Sequence, residues 1–383
     1  MDVAIVGGGI VGLASAYYLA RRGASVTVFE KGSLGNGSTE RSAGGIRRQF
    51  STPVNVELSK ASIAVWDRFE ETFGVDIGYR RSGYCFLARS PDVADQFADT
   101  VAMQNAHDVP TRLLDPEQAR EVVPELRTEQ FRAAMYLELD GFADPHLALQ
   151  GFSQALPGVD AELRTHTEVT DVLREDGRVT GVVADGERFE AEYVVNAAGP
   201  WAREVAAMAD VEMPAFPRRR QVLVVEPAIP VPESVPLTID LETGVYFRPE
   251  REGAALVGGH FDESNDPDQD PDRYSESTDL DWSIDALELA ADVADYFGEE
   301  TGIKRGWAGL YSVTPDHHPV IEETLPGFIS ALGFSGHGFQ HAPATGKIVT
   351  ELVFDGTPSL VDVSRLTSER FAEGDLIDER NVA

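Results

Sequence analysis

Residues 2–30 read DVAIVGGGIVGLASAYYLARRGASVTVFE, and this stretch decides the fold. Asp2–Val6 is a short apolar run of the kind buried in a central parallel strand. Gly7-Gly8-Gly9-Ile10-Val11-Gly12 then fits the spacing G-x-G-x-x-G. Ala14, Ala16 and Ala20 continue as a helix that stops near Gly23, and Ser25–Phe29 forms a second strand closed by Glu30. The glycines allow a tight turn, a close approach of backbone N–H groups to a pyrophosphate, and close helix–strand packing. The helix N-terminus then faces phosphates, and the acid after the second strand accepts from ribose hydroxyls. A glycine motif alone is weak evidence. With strand, helix, strand and acid in order it predicts a βαβ unit that binds a dinucleotide, without separating nicotinamide from flavin.

The 383 residues allow two or three domains, at about 150 residues per domain. A hydrophobic share of 42% excludes a disordered chain. The single cysteine, Cys85, excludes a disulfide framework and any multi-cysteine metal site. A net charge of −33 repels nucleic acid and anionic lipid. Of the 32 basic residues only Lys31, Lys60, Lys304 and Lys347 are lysines. An acidic, lysine-poor surface is similar to that of proteins from salt-accumulating microbes, haloarchaea above all. Residues 3–20 carry no charge and are long enough to raise a membrane span. Glycine and serine cluster in the first half of that run, however, and no basic leader or small-residue cleavage site is visible. The expectation is a soluble, cytoplasmic protein without a transmembrane segment.

Further along, Ser51 or Thr52 caps a helix expected over 53–73, with Pro53 at its first position. Strands are expected at 79–89, 133–140 and 220–226, and a hairpin at 243–249 and 254–260. Helices are expected at 91–107 and 283–297, and short strands run through 161–197 with a turn at Asp176-Gly177. The acidic loop 262–276 starts like a calcium loop, but Pro271 stands where glycine is required and Ser277 where glutamate is required. It reads as a solvated loop. Arg218, Arg219 and Arg220 read as a salt-bridged strand edge.

Several blocks together resemble the FAD-dependent D-amino acid oxidase superfamily, in particular its sarcosine oxidase and dimethylglycine dehydrogenase-like branch. They are residues 7–12 with Glu30, Gly37-Ser38-Thr39, 43–48, VVNAAGPWA at 194–202, GVYFRPE at 244–250, VGGH at 257–260, LYSVTPDHHPVI at 310–321 and GFSGHGFQHAPATG at 333–346. The resemblance implies an α/β fold: a doubly wound, Rossmann-like FAD domain (1–80, 150–212 and 300–366) interleaved with a mixed-sheet substrate domain (81–149 and 213–299), then a C-terminal tail, 367–383. It implies that Gly7, Gly9, Ile10, Val11, Gly12, Glu30 and Lys31 hold the ADP half of FAD. Ser38 and Thr39 would meet the pyrophosphate, with Ala43, Gly44 and Gly45 following. Val169, Ala198, Gly199, Trp201 and Gly309 would border the cofactor. Gly336, His337, Gly338, Phe339 and Gln340 would lead into a helix aimed at the flavin.

The same resemblance implies removal of a hydride from the carbon beside the amine of a small secondary or N-methylated amino acid, the imine then hydrolysing. Arg47 matches the arginine of the sarcosine-oxidase block and would bind the carboxylate bidentately, with Arg48 and Arg248 in reserve. Tyr246, Tyr311, His337 and Gln340 complete the expected catalytic set; the tyrosines read equally as amphipathic core. Tyr311 replaces the arginine usual in D-amino acid and glycine oxidases. Departures from the branch are also visible. Gly309, Arg41 and the distant Cys85 leave no covalent attachment, so FAD is expected to be noncovalent. Leu256 and Gln340 stand where lysines are usual, which points to an electron carrier or quinone acceptor as readily as to oxygen. His260, His317, His318 and His341 read as structural, and no metal is expected. A D-amino acid or 2-hydroxy acid dehydrogenase, and a flavin-bearing subunit of a heteromer, stay open as alternatives.

Overall fold

The computed structural model describes residues 1–262 and 265–382. The opening stretch folds as β1 (Asp2–Val6), α1 (Ile10–Arg21) and β2 (Ser25–Phe29), with β1 and β2 paired in parallel. Around them lies a six-stranded sheet in the order Val320–Leu325, Phe328–Leu332, Tyr193–Asn196, β1, β2, Ala161–Arg164. All neighbours are parallel except the first pair. Both faces of β1 are covered, which explains its nearly unbroken apolar run. On one face α1 lies against the long helix Gly338–Asp355. A Cβ on Gly346 would sit 2.7 Å from the Ala14 carbonyl carbon, so that crossing needs glycine. On the other face, Ala4, Val6 and Phe29 pack with Val172, Val179 and Val182 from a three-stranded antiparallel sheet. Asp176 and Gly177 make its turn with positive φ, as the sequence predicts.

The second layer is an eight-stranded mixed sheet running from Gly302–Val313 at one edge to Arg112–Leu114 at the other. The side-chain period of two divides its strands cleanly. Cys85, Leu87, Phe247 and Val257 face the helix Leu280–Val293, while Tyr84, Phe86, Ile239 and Tyr246 form a separate apolar face. Tyr84, Ile239 and Tyr246 of this second face line the smaller cavity described below.

Three expectations change in detail. The helix expected over 53–73 stops at Trp66 and restarts as Phe69–Phe73, which turns Phe69 and Phe73 into an aromatic cluster with Tyr17, Trp66 and Phe152. The strand expected at 79–89 is only Tyr84–Ala88, because Gly78 and Gly83 take positive φ ahead of it. Gly302–Val313, placed from the sequence in the FAD domain, pairs along its length with Phe216–Glu226 in the eight-stranded sheet. Among the described residues no helix is long and apolar enough to cross a membrane.

Candidate active site

A cleft of about 640 Å3 opens over the C-terminal ends of β1 and β2 and the N-terminus of α1. Its floor is the glycine turn. Gly7 has φ of +109°, and a Cβ there would lie 2.5 Å from the Ala197 carbonyl oxygen. Gly12 does not line the cleft; a Cβ on it would meet the Gly7 carbonyl oxygen at 1.9 Å, so it sets how closely the helix approaches the turn. Glu30 accepts from the Gly8 N–H (2.9 Å) through one oxygen and from the Gly32 N–H (2.8 Å) through the other, which fixes its carboxylate at the rim. Thr39 accepts from the Ile10 N–H (3.2 Å), and Ser38 donates to the Leu310 carbonyl (2.5 Å). Ile10, Val11, Lys31, Val169, Ala198, Gly199 and Trp201 all line the cleft, as do Gly336, Gly338 and Phe339.

The residues present fit a flavin dinucleotide. The N-cap of α1 is Gly9, which has no side chain to cap it, Thr39 takes only the Ile10 N–H, and the first turn holds no acid, so the positive end of the helix is left for an anion. The helix Gly338–Asp355 likewise has an uncapped N-terminus without acids, at the far end of the cleft. Ser312 lines the cleft with a buried hydroxyl that has no partner among the described residues.

The acidic loop is not simply solvated. Pro271, Asp272, Tyr274 and Glu276 form part of the cleft wall. Arginines and Lys31 draw it inward: Arg220 pairs with Asp266 (2.8 Å), Arg218 with Asp268 (3.0 Å) and Arg41 with Glu276 (2.6 Å). Asp272 accepts from Lys31 and from the Trp201 indole (3.0 Å), and both hold its carboxyl below the usual range. The Lys31 ammonium sits 4.0 Å over the Trp201 ring. Glu263 and Ser264 of this loop lie outside the described residues. Arg219 pairs with Asp279, which completes the salt-bridged edge expected for the three arginines.

A second cavity of about 80 Å3 adjoins the first and shares Ser42, Tyr311, Ser335 and Gly336 with it. Arg47, Tyr246, Tyr311, His337 and Gln340, far apart in sequence, meet here, with Ala43 and Gly45. Arg47 is 6% exposed and donates to the Gln49 and Asn381 carbonyls, with its guanidinium 3.9 Å above the Phe50 ring. Among the described residues no carboxylate forms an ion pair with it, and burial lowers its pKa. The reserves are committed elsewhere: Arg48 to the fully buried Asp140 (2.9 Å), and Arg248 to Glu250 (3.0 Å).

Gln340 accepts from the Arg47 N–H (2.8 Å) and so ties the helix Gly338–Asp355 to the arginine segment. His337 Nε2 donates to the His317 carbonyl (2.9 Å). Burial keeps His337 and His341 neutral, the latter driven down to about 3. His337 Nδ1 therefore accepts from His341 Nδ1 (3.2 Å), and His341 Nε2 accepts from Ser59 (2.9 Å). The pair is a buried strut. Gly44 and Gly309 line neither cavity: Gly44 packs on the Ala143 carbonyl and Gly309 on Arg41. Leu256 and Cys85 are buried in the eight-stranded sheet, apart from both cavities.

The sequence reading missed Tyr84, Leu237, Ile239 and Val382, which also line the smaller cavity. The apolar run of Tyr84–Ala88, buried throughout, gave no signal that set Tyr84 apart. Nothing in sequence marks Val382. Among the described residues no cluster of His, Cys, Asp or Glu is set to hold a metal.

Comparison with known proteins agrees with this geometry. Residues 2–352 match the family described as DAO, FAD dependent oxidoreductase, and the chain belongs to that family. It is 32% identical, over all of its length and 84% of the relative's, to FAD-dependent oxidoreductase domain-containing protein 1 of Xenopus laevis. It is 28% identical to human mitochondrial dimethylglycine dehydrogenase, covering 97% of this chain but 44% of that protein. Among solved structures, an L-proline dehydrogenase from P. horikoshii superposes with a TM-score of 0.88 at 32% identity, covering 98% of this chain and 99% of the other. The protein is an FAD-dependent oxidoreductase.

Proposed function

We propose that the substrate is a small secondary or N-methylated amino acid, sarcosine-like or proline-like, oxidised at the carbon beside its amine. One observation carries this reading: a buried arginine with no ion-paired carboxylate among the described residues, lining a cavity of about 80 Å3 walled by three tyrosines. A buried cation with no carboxylate in direct contact is costly, Glu379 and Asp140 acting on it only from a distance, and a substrate carboxylate lowers that cost. FAD supplies the acceptor for the hydride. Arg47 fixes the carboxylate, and Tyr84, Tyr246 and Tyr311 bound the rest of the substrate and keep water out. The imine hydrolyses after release. Among the described residues Lys31 is the one lysine lining the larger cavity and none lines the smaller, which supports a carrier or quinone as the electron acceptor, within a heteromer or by encounter, at least as readily as oxygen.

The decisive experiment is anaerobic mixing in molar salt with sarcosine, dimethylglycine, proline, glycine, D-alanine and 2-hydroxyglutarate. The oxidised-flavin band should bleach with the N-methyl or cyclic amino acids and recover slowly in air. Bleaching by D-alanine or the hydroxy acid alone would replace the substrate class. No bleaching at all would favour a flavin-bearing subunit.

A pH dependence follows from the same cavity. Burial pushes Tyr84, Tyr246 and Tyr311 above the ordinary tyrosine value of 10.0 and His337 below the ordinary histidine value of 6.5. Among the described residues no tyrosine or histidine lining the smaller cavity then titrates between those limits. Hydride loss needs the neutral amine, so kcat/KM should rise with pH along a limb that belongs to the substrate. Substrates with less basic amines should move that limb downward by the difference in their amine pKa values. A limb that stays put across the series would place the proton on the protein.

A further inference from the structure

We infer that Val382 sets the size limit of the substrate, from a wall that Glu379 pins in place; this rests on the reading of Arg47 as the carboxylate anchor. Residues 377–382 do not trail into solvent. The Glu379 N–H donates to the Asp316 carbonyl (3.1 Å), and Asp316 is itself held by the buried Arg370 (2.7 Å). The Glu379 side chain has no exposure and takes five donors. One oxygen accepts from the Ser51 N–H (2.7 Å), the Ser51 hydroxyl (2.7 Å) and the Asn381 N–H (3.1 Å). The other accepts from the Thr52 hydroxyl (2.9 Å) and the Asn55 amide (3.0 Å).

These donors surround the start of the helix Pro53–Trp66, whose N-cap residue Thr52 does not cap it. The carboxylate therefore serves that helix end from outside, where an anion is favoured. Beyond the pin, the Asn381 amide donates to the Gln49 carbonyl (3.2 Å) and the Asn381 carbonyl accepts from the Arg47 guanidinium. The next side chain, Val382, reaches the smaller cavity alongside Arg47, Leu237 and Ile239. One short segment thus orients the carboxylate anchor and supplies an apolar boundary beside it. A ligand held by its carboxylate on Arg47 extends toward a wall whose depth is the valine side chain.

The test uses the purified FAD-loaded protein and simple carboxylates that cannot be oxidised, followed by their perturbation of the flavin spectrum. Acetate and cyclohexanecarboxylate are titrated into the wild type, Val382→Ala, Val382→Phe and Glu379→Gln, with melting curves as the check on folding. Val382→Ala should raise the affinity for cyclohexanecarboxylate relative to acetate by about tenfold, the scale of hydrophobic-pocket discrimination. Val382→Phe should lower that ratio. Glu379→Gln keeps residue 382 but loosens the pin, and should raise the ratio by a smaller factor. Carboxylates that bind every variant with an unchanged ratio would overturn the role of Val382 and leave the Arg47 reading intact. Failure of any carboxylate to perturb the wild-type flavin would instead overturn the Arg47 reading, and the size limit with it.

Discussion

Arg47→Met should leave a folded, yellow protein whose kcat/KM has fallen by at least about a hundredfold, chiefly through KM. The magnitude is that of a lost charge-assisted, two-point contact to a carboxylate, about 3 kcal/mol. The colour persists because Arg47 lines the smaller cavity only. Arg47→Lys is not a rescue. The guanidinium already spends two N–H groups on the Gln49 and Asn381 carbonyls, and a single ammonium cannot hold both and still meet two carboxylate oxygens. Steady-state kinetics beside flavin absorbance separate these effects. A loss that appears in Arg248→Met and spares Arg47→Met would move the carboxylate to the other arginine.

The second large effect concerns the glycine turn, where two substitutions should fail for different reasons. Gly7→Ala places a Cβ 2.5 Å from the Ala197 oxygen at a φ of +109°. The backbone does not accept it, and soluble holoprotein should be lost. Gly9→Ala meets only the Thr39 hydroxyl at 3.5 Å, with φ of −74°, so the apoprotein should fold and melt as wild type. Its added methyl faces the cleft where the phosphates would lie. FAD affinity should fall by about ten- to hundredfold, the cost of forcing an extra methyl into a packed contact, about 1–3 kcal/mol. Circular dichroism and FAD titration of the apoprotein measure the two quantities apart. Unchanged FAD affinity in Gly9→Ala would show that the phosphates do not rest on this turn.

The contrast between the glycines shows why part of the site is legible in sequence. Gly7, Gly9, Gly12 and Glu30 act within one βαβ unit, so their spacing along the chain is their spacing in space. Arg47, Tyr246, Tyr311, His337 and Gln340 are gathered from separate blocks, and only resemblance brought them together before the structure did. Tyr84 and Ile239 escaped because a strand buried on both faces carries an unbroken apolar run that does not show what either face meets. Val382 and the loop at 271–276 escaped for another reason: their positions are set by distant partners, Glu379 with Ser51 in one case and Asp272 with Lys31 and Trp201 in the other. Composition marked that loop as solvated because its acids are many, and the arginines that neutralise them come from other elements.

The walls of the larger cleft are drawn from residues 6–11, 29–42, 167–169, 197–208, 271–276 and 310–339. The lining residues run from Val6 to Phe339, and a nascent chain has no complete cradle until that last segment has been synthesised. The dinucleotide is therefore a ligand of the finished native state, and its binding free energy adds to stability by mass action. Retained flavin in a variant then reports that every one of these segments has found its place, so the colour of a preparation is itself an assay of assembly.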